Sequence, residues 1–406
     1  MRATHVRMSE VFQIKKSMHL GIFVRPWRWF LSTLLSLLCL IQHAQLHAEK
    51  FQPDHIVTQR QIAAGANVFL NELSWDGASR IHVFGIDDFA YKGSMPGGLN
   101  TQMQVLRDGK TLYLVSSFAE RIVYGQTESV VQIYDVSTLS RRDEFVVPNT
   151  VVRGIGMTQM LALSADKKLL YIQNATPATS VTVIDLAAKK RVTEIPAPGC
   201  FGIYPARDGH RFSTACGTGV FKTFTVAGDS YSVETSAPLF DVTKDPIYIH
   251  ASRRANGELI LTTFGGDIYL ADDSGKVVRL IKTLSVSADI EGNWAPGGYR
   301  ISAYNGFYDT IFIPMHRDAK LGSHKYGSDE IWAYSLKEEK LVARSVAQNL
   351  VSLAISAGPK PIIFGSNAKD NTVDKYELKL GDGLLFQKVA SDKRAGATTT
   401  LAITYD

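Results

Sequence analysis

"MLALSADKKLLYIQNATPATSVTVIDLAAKKRVTEIPA", residues 160–197, decides the fold. Turn residues cut it into four short apolar runs: MLALS, KLLYIQNA from Lys168, SVTVIDLA from Ser180 and KRVTEIPA. Each run is rich in β-branched or aromatic residues and too short for a helix, so the stretch reads as four strands joined by turns. The unit recurs along the chain. Second-strand counterparts are KTLYLVSS from Lys110, HRFSTACG from His210, GELILTTF from Gly257, DTIFIPMH from Asp309 and KPIIFGSN from Lys360. Third-strand counterparts are RIHVFGID from Arg80, VVQIYDVS from Val130, VFKTFTVA from Val220, GDIYLADD from Gly266, DEIWAYSL from Asp329 and TVDKYELK from Thr372. With SVTVIDLA that makes seven third strands, spaced roughly 40 to 60 residues apart.

Four-stranded units at such a period predict an all-β chain folded as a seven-bladed β-propeller. The C-terminal TTTLAITYD looks like a first strand without later partners, and it is expected to complete the blade that begins near Asn67. Two β-sandwiches are the alternative, but the even spacing and the lack of a linker argue against them.

The first 48 residues differ from the rest. Six basic residues against Glu10 precede the apolar, uncharged run WFLSTLLSLLCLI at residues 29–41, and QHAQLHA follows, ending in the small residue Ala48. This is the pattern of a signal peptide over 1–48, with the propeller over 49–406 and Met18 as an alternative start. The apolar run is short for a membrane span. Beyond residue 48, Lys plus Arg falls from 44 to 38 and Asp plus Glu from 39 to 38, so the net charge of +5 belongs to the leader and gives no argument for nucleic acid. Two cysteines remain after the leader, Cys200 and Cys216, on either side of a strand–turn–strand. In an exported chain such a pair reads as a disulfide, expected to contribute about 3 kcal/mol, with zinc as the weaker alternative.

Catalytic motifs are scarce. There is no G-x-S-x-G, H-E-x-x-H or P-loop, and the six histidines beyond the leader do not fall at metal-ligand spacing. The stretch PMHRDAKLGSHKYGSDEIWAYSL, residues 314–336, sets His316 and His324 beside Asp318, Asp329 and Glu330. It reads either as a metal or proton-transfer site, or as a polar loop that steadies its blade and meets a partner. The second reading is favoured, with His316, His324 and Lys325 as partner-contact residues; His324 and Lys325 supply hydrogen bonds and charge, with Asp329 or Glu330 as their expected partners.

Several stretches resemble, in order, the heavy subunit of the quinoprotein amine dehydrogenases: FAERIVYGQTESVVQIYDVSTL, QNATPATSVTVIDLA, PAPGCFGIYPARDGHRFSTACGTG, NWAPGGY and MHRDAKLGSHKYGSDEIW. QNATPATS and AERI lean toward the aromatic-amine branch. The resemblance implies a periplasmic propeller, paired as α2β2 with a small, disulfide-rich light subunit. The light subunit carries tryptophan tryptophylquinone, oxidises amines to aldehyde and ammonia, and passes electrons to a blue-copper protein such as amicyanin or azurin. No catalytic, metal or cofactor residue is then expected in this chain. The family bridges the cysteines matching Cys200 and Cys216. It also places a phenylalanine at the mouth of the channel to the quinone, where GSMPGGLNTQMQV offers Leu99, expected as a channel wall. A secreted binding propeller and a stand-alone, lactonase-like propeller enzyme are the alternatives.

Overall fold

A computed structural model describes residues 58–404, except 75, 149, 153, 155–157, 177 and 397. The leader, with Trp27 and Trp29, and Trp75 lie outside the described residues. Residues 59–406 form one compact unit.

The described residues are strands, turns and two short 3-10 helices, Thr158–Met160 and Ser323–Lys325. All sheets are antiparallel. Sheet I runs Thr398–Ile403, Asn67–Glu72, Arg80–Gly85, Tyr91–Pro96, and sheet II runs Leu99–Val105, Thr111–Arg121, Tyr124–Asp135, Ser140–Val147. In sheet III, Thr150–Val151 and Leu161–Leu163 both pair with Leu169–Thr176, followed by Ser180–Asp185 and Lys190–Pro196. Sheet IV holds Cys200–Pro205, Arg211–Cys216, Phe221–Ala227 and Ser230–Thr235, and sheet V holds Ile247–Arg253, Leu259–Thr263, Asp267–Asp272 and Arg279–Ser285.

The expected count of seven blades is corrected here. Five sheets stand as separate blades, and the remaining strands form one eight-stranded sheet VI. The cause is Lys340–Ile355, a strand of 16 residues. Its first half pairs with Ser328–Ser335 and its second half with Ile362–Asn367, so no turn separates an outer strand from the next inner one. Phe312 and Ile331 from one half of this sheet still pack against Leu353, Ile363 and Tyr376 from the other.

The innermost strands touch in succession around a ring, which rules out a pair of sandwiches. The ring closes as expected: Val68 lies opposite Ile403 and Leu70 opposite Leu401, and the Asn67 N–H donates to the Thr404 hydroxyl at 3.0 Å. Middle strands such as TLYLVSSFAER are buried on both faces because each sheet is packed between two others, whereas outer strands such as SRRDEFVV are mostly exposed. The core is therefore a set of clusters between sheets. One joins Phe69, Ile81 and Val83 of sheet I to Met103, Leu112 and Leu114 of sheet II.

Candidate functional site

The innermost strands all run the same way; Arg300, just before the strand Ala303–Asn305, forms a parallel bridge with Ser352 of Lys340–Ile355. This defines a front, where they begin, and a back, where they end. Leu99, Cys200 and the segment before Pro296 open innermost strands, while Cys216 and His316 close second strands. Strands alternate in direction within a sheet, so every predicted site residue falls on the front.

The 317–327 loop is tied down on that face. The Asn293 side-chain amide donates to the Ala319 carbonyl at 2.5 Å, the Ala319 N–H to the Asn293 carbonyl at 3.0 Å, and the Gly298 N–H to the His324 carbonyl at 2.9 Å. NWAPGGY and MHRDAKLGSHKYGSDEIW therefore form one unit. Gly298 has φ of 125°, and a Cβ there would collide with the Val351 backbone, so the position requires glycine. From sheet V, the Tyr248 hydroxyl reaches the His324 carbonyl at 3.0 Å and the Pro296 carbonyl at 2.8 Å. The His324 ring stacks on Phe264 with centroids 4.1 Å apart.

His316 is buried, and burial lowers its pKa against the opposing charges of Asp329 and Asp318 and the backbone of Ala295. Burial, and then the charge of Lys325, lower that of His324 as well. Lys325 is exposed. The expected ion partners are corrected. Glu330 takes Arg344 in a forked pair at 2.7 and 3.0 Å and the Trp332 indole N–H at 2.6 Å, so it is engaged away from His324 and Lys325. Asp329, next along the strand, is exposed and only adds its charge near His316. The Arg344 guanidinium lies over the rings of Trp294 and Trp332 at 4.7 and 4.8 Å. Among the described residues, no group of three His, Cys, Asp or Glu side chains could hold a metal ion.

Cys200 and Cys216 are bonded, opposite one another across the first two strands of sheet IV. Leu99 is 6% exposed and opens the innermost strand of sheet II directly after Gly97–Gly98. The segment GSMPGGLNTQMQV is mostly strand, crossing from sheet I to sheet II. The close approach made by Gly98 is internal: a Cβ would sit 2.6 Å from the Ser117 carbonyl and 3.0 Å from the Phe118 ring.

Those contacts belong to a feature that sequence reasoning missed. The second strand of sheet II is 11 residues long and the third 12, against five to eight for the second strands elsewhere. At about 3.3 Å per residue, the excess carries the hairpin on the order of 10 Å or more beyond its neighbours. Its tip is apolar and in solvent: Ile122 is 73% exposed, Val123 47% and Tyr124 63%. Ile122 also has φ of 65°, an uncommon conformation for a β-branched residue. The signal was available in the apolar run IVYG beyond the alternating strand pattern.

Residues 75–406 match the family "Methylamine dehydrogenase heavy chain (MADH)". The chain belongs to the methylamine dehydrogenase heavy chain family. Relatives include the methylamine dehydrogenase heavy chain of Methylorubrum extorquens, 25% identical over 81% of this chain and 80% of the relative. That of Paracoccus versutus is 25% identical over 72% and 69%. Both carry the methylamine name, so the lean toward aromatic amines finds no support in them. Among solved structures, the dihydro-heme d1 dehydrogenase NirN aligns at TM-score 0.53 and 16% identity, covering 85% of this chain and 68% of that one. A provisionally assigned 6-phosphogluconolactonase from Bacteroides uniformis aligns at 0.60 and 12%, covering 85% and 100%. At such identities these two show the fold alone.

Proposed function

We propose that this chain is the heavy subunit of a periplasmic amine dehydrogenase. It docks a light subunit bearing tryptophan tryptophylquinone on its front face, in an α2β2 assembly. The quinone, in that partner, supplies the oxidation of a primary amine to aldehyde and ammonia, with electrons passed on to a blue-copper protein. The observation that carries this reading, beside family membership, is the hairpin tip Ile122–Tyr124: an exposed apolar projection on the hairpin whose base pairs with Leu99. Interfaces form around such anchors, with polar groups at the rim.

The two tryptophans among the described residues do not suit the quinone. Trp294 and Trp332 lie 5.1 Å apart, but both are buried, and both indole N–H groups are engaged, with the Glu291 carbonyl at 3.0 Å and with Glu330. Arg344 covers the face of each ring. No step of the oxidation is therefore assigned to this chain. Its part is to hold the light subunit and, through Leu99, to shape the approach to the quinone.

The test is co-expression with a small, cysteine-rich, tryptophan-containing subunit. The complex is expected to co-purify, absorb visible light as a quinone and bleach on adding a primary amine, while the isolated chain does none of this. Amine turnover by the isolated chain would overturn the reading.

A further inference from the structure

We propose that the back of the central channel binds a small organic anion carrying carboxylate or phosphate groups. Where the innermost strands end, the channel widens into two adjoining cavities of about 610 Å³ each, which share Gln104–Arg107 and Ala251–Arg253. This is the size of sites that enclose small ligands. Five cationic side chains line them, Arg107, Lys167, Arg207, Arg253 and Arg300, and no carboxylate lines either.

Two of the five are engaged by the protein. Arg253 forms a forked pair with Asp273 at 2.8 and 2.7 Å, and Arg300 donates to the Leu353 carbonyl at 2.9 Å. Arg107, Lys167 and Arg207 are exposed at the rim and form no ion pair among the described residues. The acids of their own turns are occupied elsewhere: Asp108 accepts the Lys110 N–H, Asp166 takes Ser164 and His210, and Asp208 pairs with Arg211. Beyond residue 48 the chain holds equal numbers of cationic and acidic residues, so the cations gathered on these two cavities are a local excess. Arg207, whose guanidinium lies against Gly257, also lines a neighbouring cavity with Asp208, Glu258, Asp272 and Asp273 and stands at the edge of the cluster.

Like charges converging on a concave rim repel one another until an anion neutralises them, and the low-dielectric walls strengthen that attraction. Leu106, Tyr204, Ala303 and Ile355 supply apolar wall for the body of the ligand. The site lies at the opposite end of the channel from the front face and does not depend on the amine dehydrogenase reading.

The test is calorimetric titration of the intact chain, with any subunit it is isolated with, at low ionic strength. Citrate and isophthalate probe carboxylates, pyrophosphate probes phosphates, and glycerol serves as the neutral control. One anion class is expected to saturate a single site, and to weaken about tenfold with each of Arg107→Gln, Arg207→Gln and Lys167→Gly. Lys167 has φ of 61°, so glycine suits its turn, and unchanged thermal unfolding will verify the fold. The front-face control Lys369→Gln should leave affinity unchanged. Absence of binding by all three anions, or equal binding by the parent and the triple variant, would overturn the proposal.

Discussion

Two projections on the front face differ in what they do with their side chains. The 317–327 loop and the strand ends beside it carry the histidines, lysines and acids that a reader of sequence notices first, and the loop's anchoring groups face inward: His324 stacks on Phe264, Ser323 accepts from the Lys320 N–H, and two carbonyls are held by Asn293 and Tyr248. The hairpin of sheet II is plainer in composition, yet its tip residues Ile122, Val123 and Tyr124 stand in solvent. Groups engaged in holding a loop down are not available to a partner, whereas exposed apolar groups gain by leaving water. The chemically rich loop is held down through its polar groups and His324 while Leu321 and Tyr326 stay exposed; the hairpin is the candidate for docking because its exposed apolar residues are consecutive at its tip.

The largest effect that tests this contrast is expected at Glu330. Its side chain is 15% exposed and neutralises Arg344, which in turn covers both tryptophans at the root of the loop. Glu330→Ala leaves a partly buried guanidinium without its carboxylate, at a cost of about 3 kcal/mol. Denaturant unfolding should show that loss. A variant as stable as the parent would mean that the loop is not anchored through this cluster.

At the hairpin the expectation reverses. Ile122→Asp places a residue that tolerates positive φ where a β-branched one now sits, so stability of the isolated chain should hold or rise slightly. Binding of the light subunit should fall by about 2 kcal/mol or more, as for a central apolar anchor. Titration of the two subunits measures this. Unchanged affinity would remove the hairpin from the interface.

What could be read from sequence follows the same division. Strand identity and ring closure were legible because middle strands are apolar runs bounded by turns such as RDGK, and because TTTLAITYD had no later partner. The blade count was not, since VARSVAQNLVSLAI contains no Gly or Pro to mark a break and the strand runs on through Asn349. The pair Cys200–Cys216 was legible from the export pattern and spacing. The ring partner of His324, Phe264, is about 60 residues away, beyond any local pattern. The cations at the back of the channel sit in turns recognised only as turns, because nothing in one turn tells of the others brought beside it by the ring.

Leu99 lies where the two regions can be compared in the assembled enzyme. It starts the strand beside the hairpin base, opposite Ser117, and is buried in the single chain. If it also walls the approach to the quinone, Leu99→Phe should disfavour a bulky amine against a small one, and Leu99→Ala should do the opposite. A change of this size in a pocket is worth about 1–2 kcal/mol, read as the ratio of kcat/KM for the two amines. Equal ratios in parent and both variants would leave Leu99 as packing beneath the hairpin.

Tyr248 anchors the loop more lightly. Tyr248→Phe removes one hydroxyl shared between the Pro296 and His324 carbonyls and should cost about 1 kcal/mol. The loss should appear as faster hydrogen exchange in 317–327, with the hairpin unaffected; acceleration of both segments would show that they open together.

Acid should produce the smallest and most selective effect. Burial holds His324 in the docked loop, and His316, which closes the strand before it and packs against Tyr326 of the loop, below the ordinary histidine pKa of 6.5; undocking uncovers both toward that ordinary value. The undocked state therefore binds more protons as pH falls below the ordinary value. Docking is at full strength above it and weakens progressively as pH falls from there toward the lower pKa values of the docked state. Residues 117–129 contain no histidine. Hydrogen exchange at about pH 7.5 and about pH 5.5, corrected for intrinsic rates, should show loosening of 317–327 at the lower pH and little change in the hairpin. A loop equally protected at both would mean that the two rings accept protons without leaving their places, and that carbonyl and indole contacts alone hold it down.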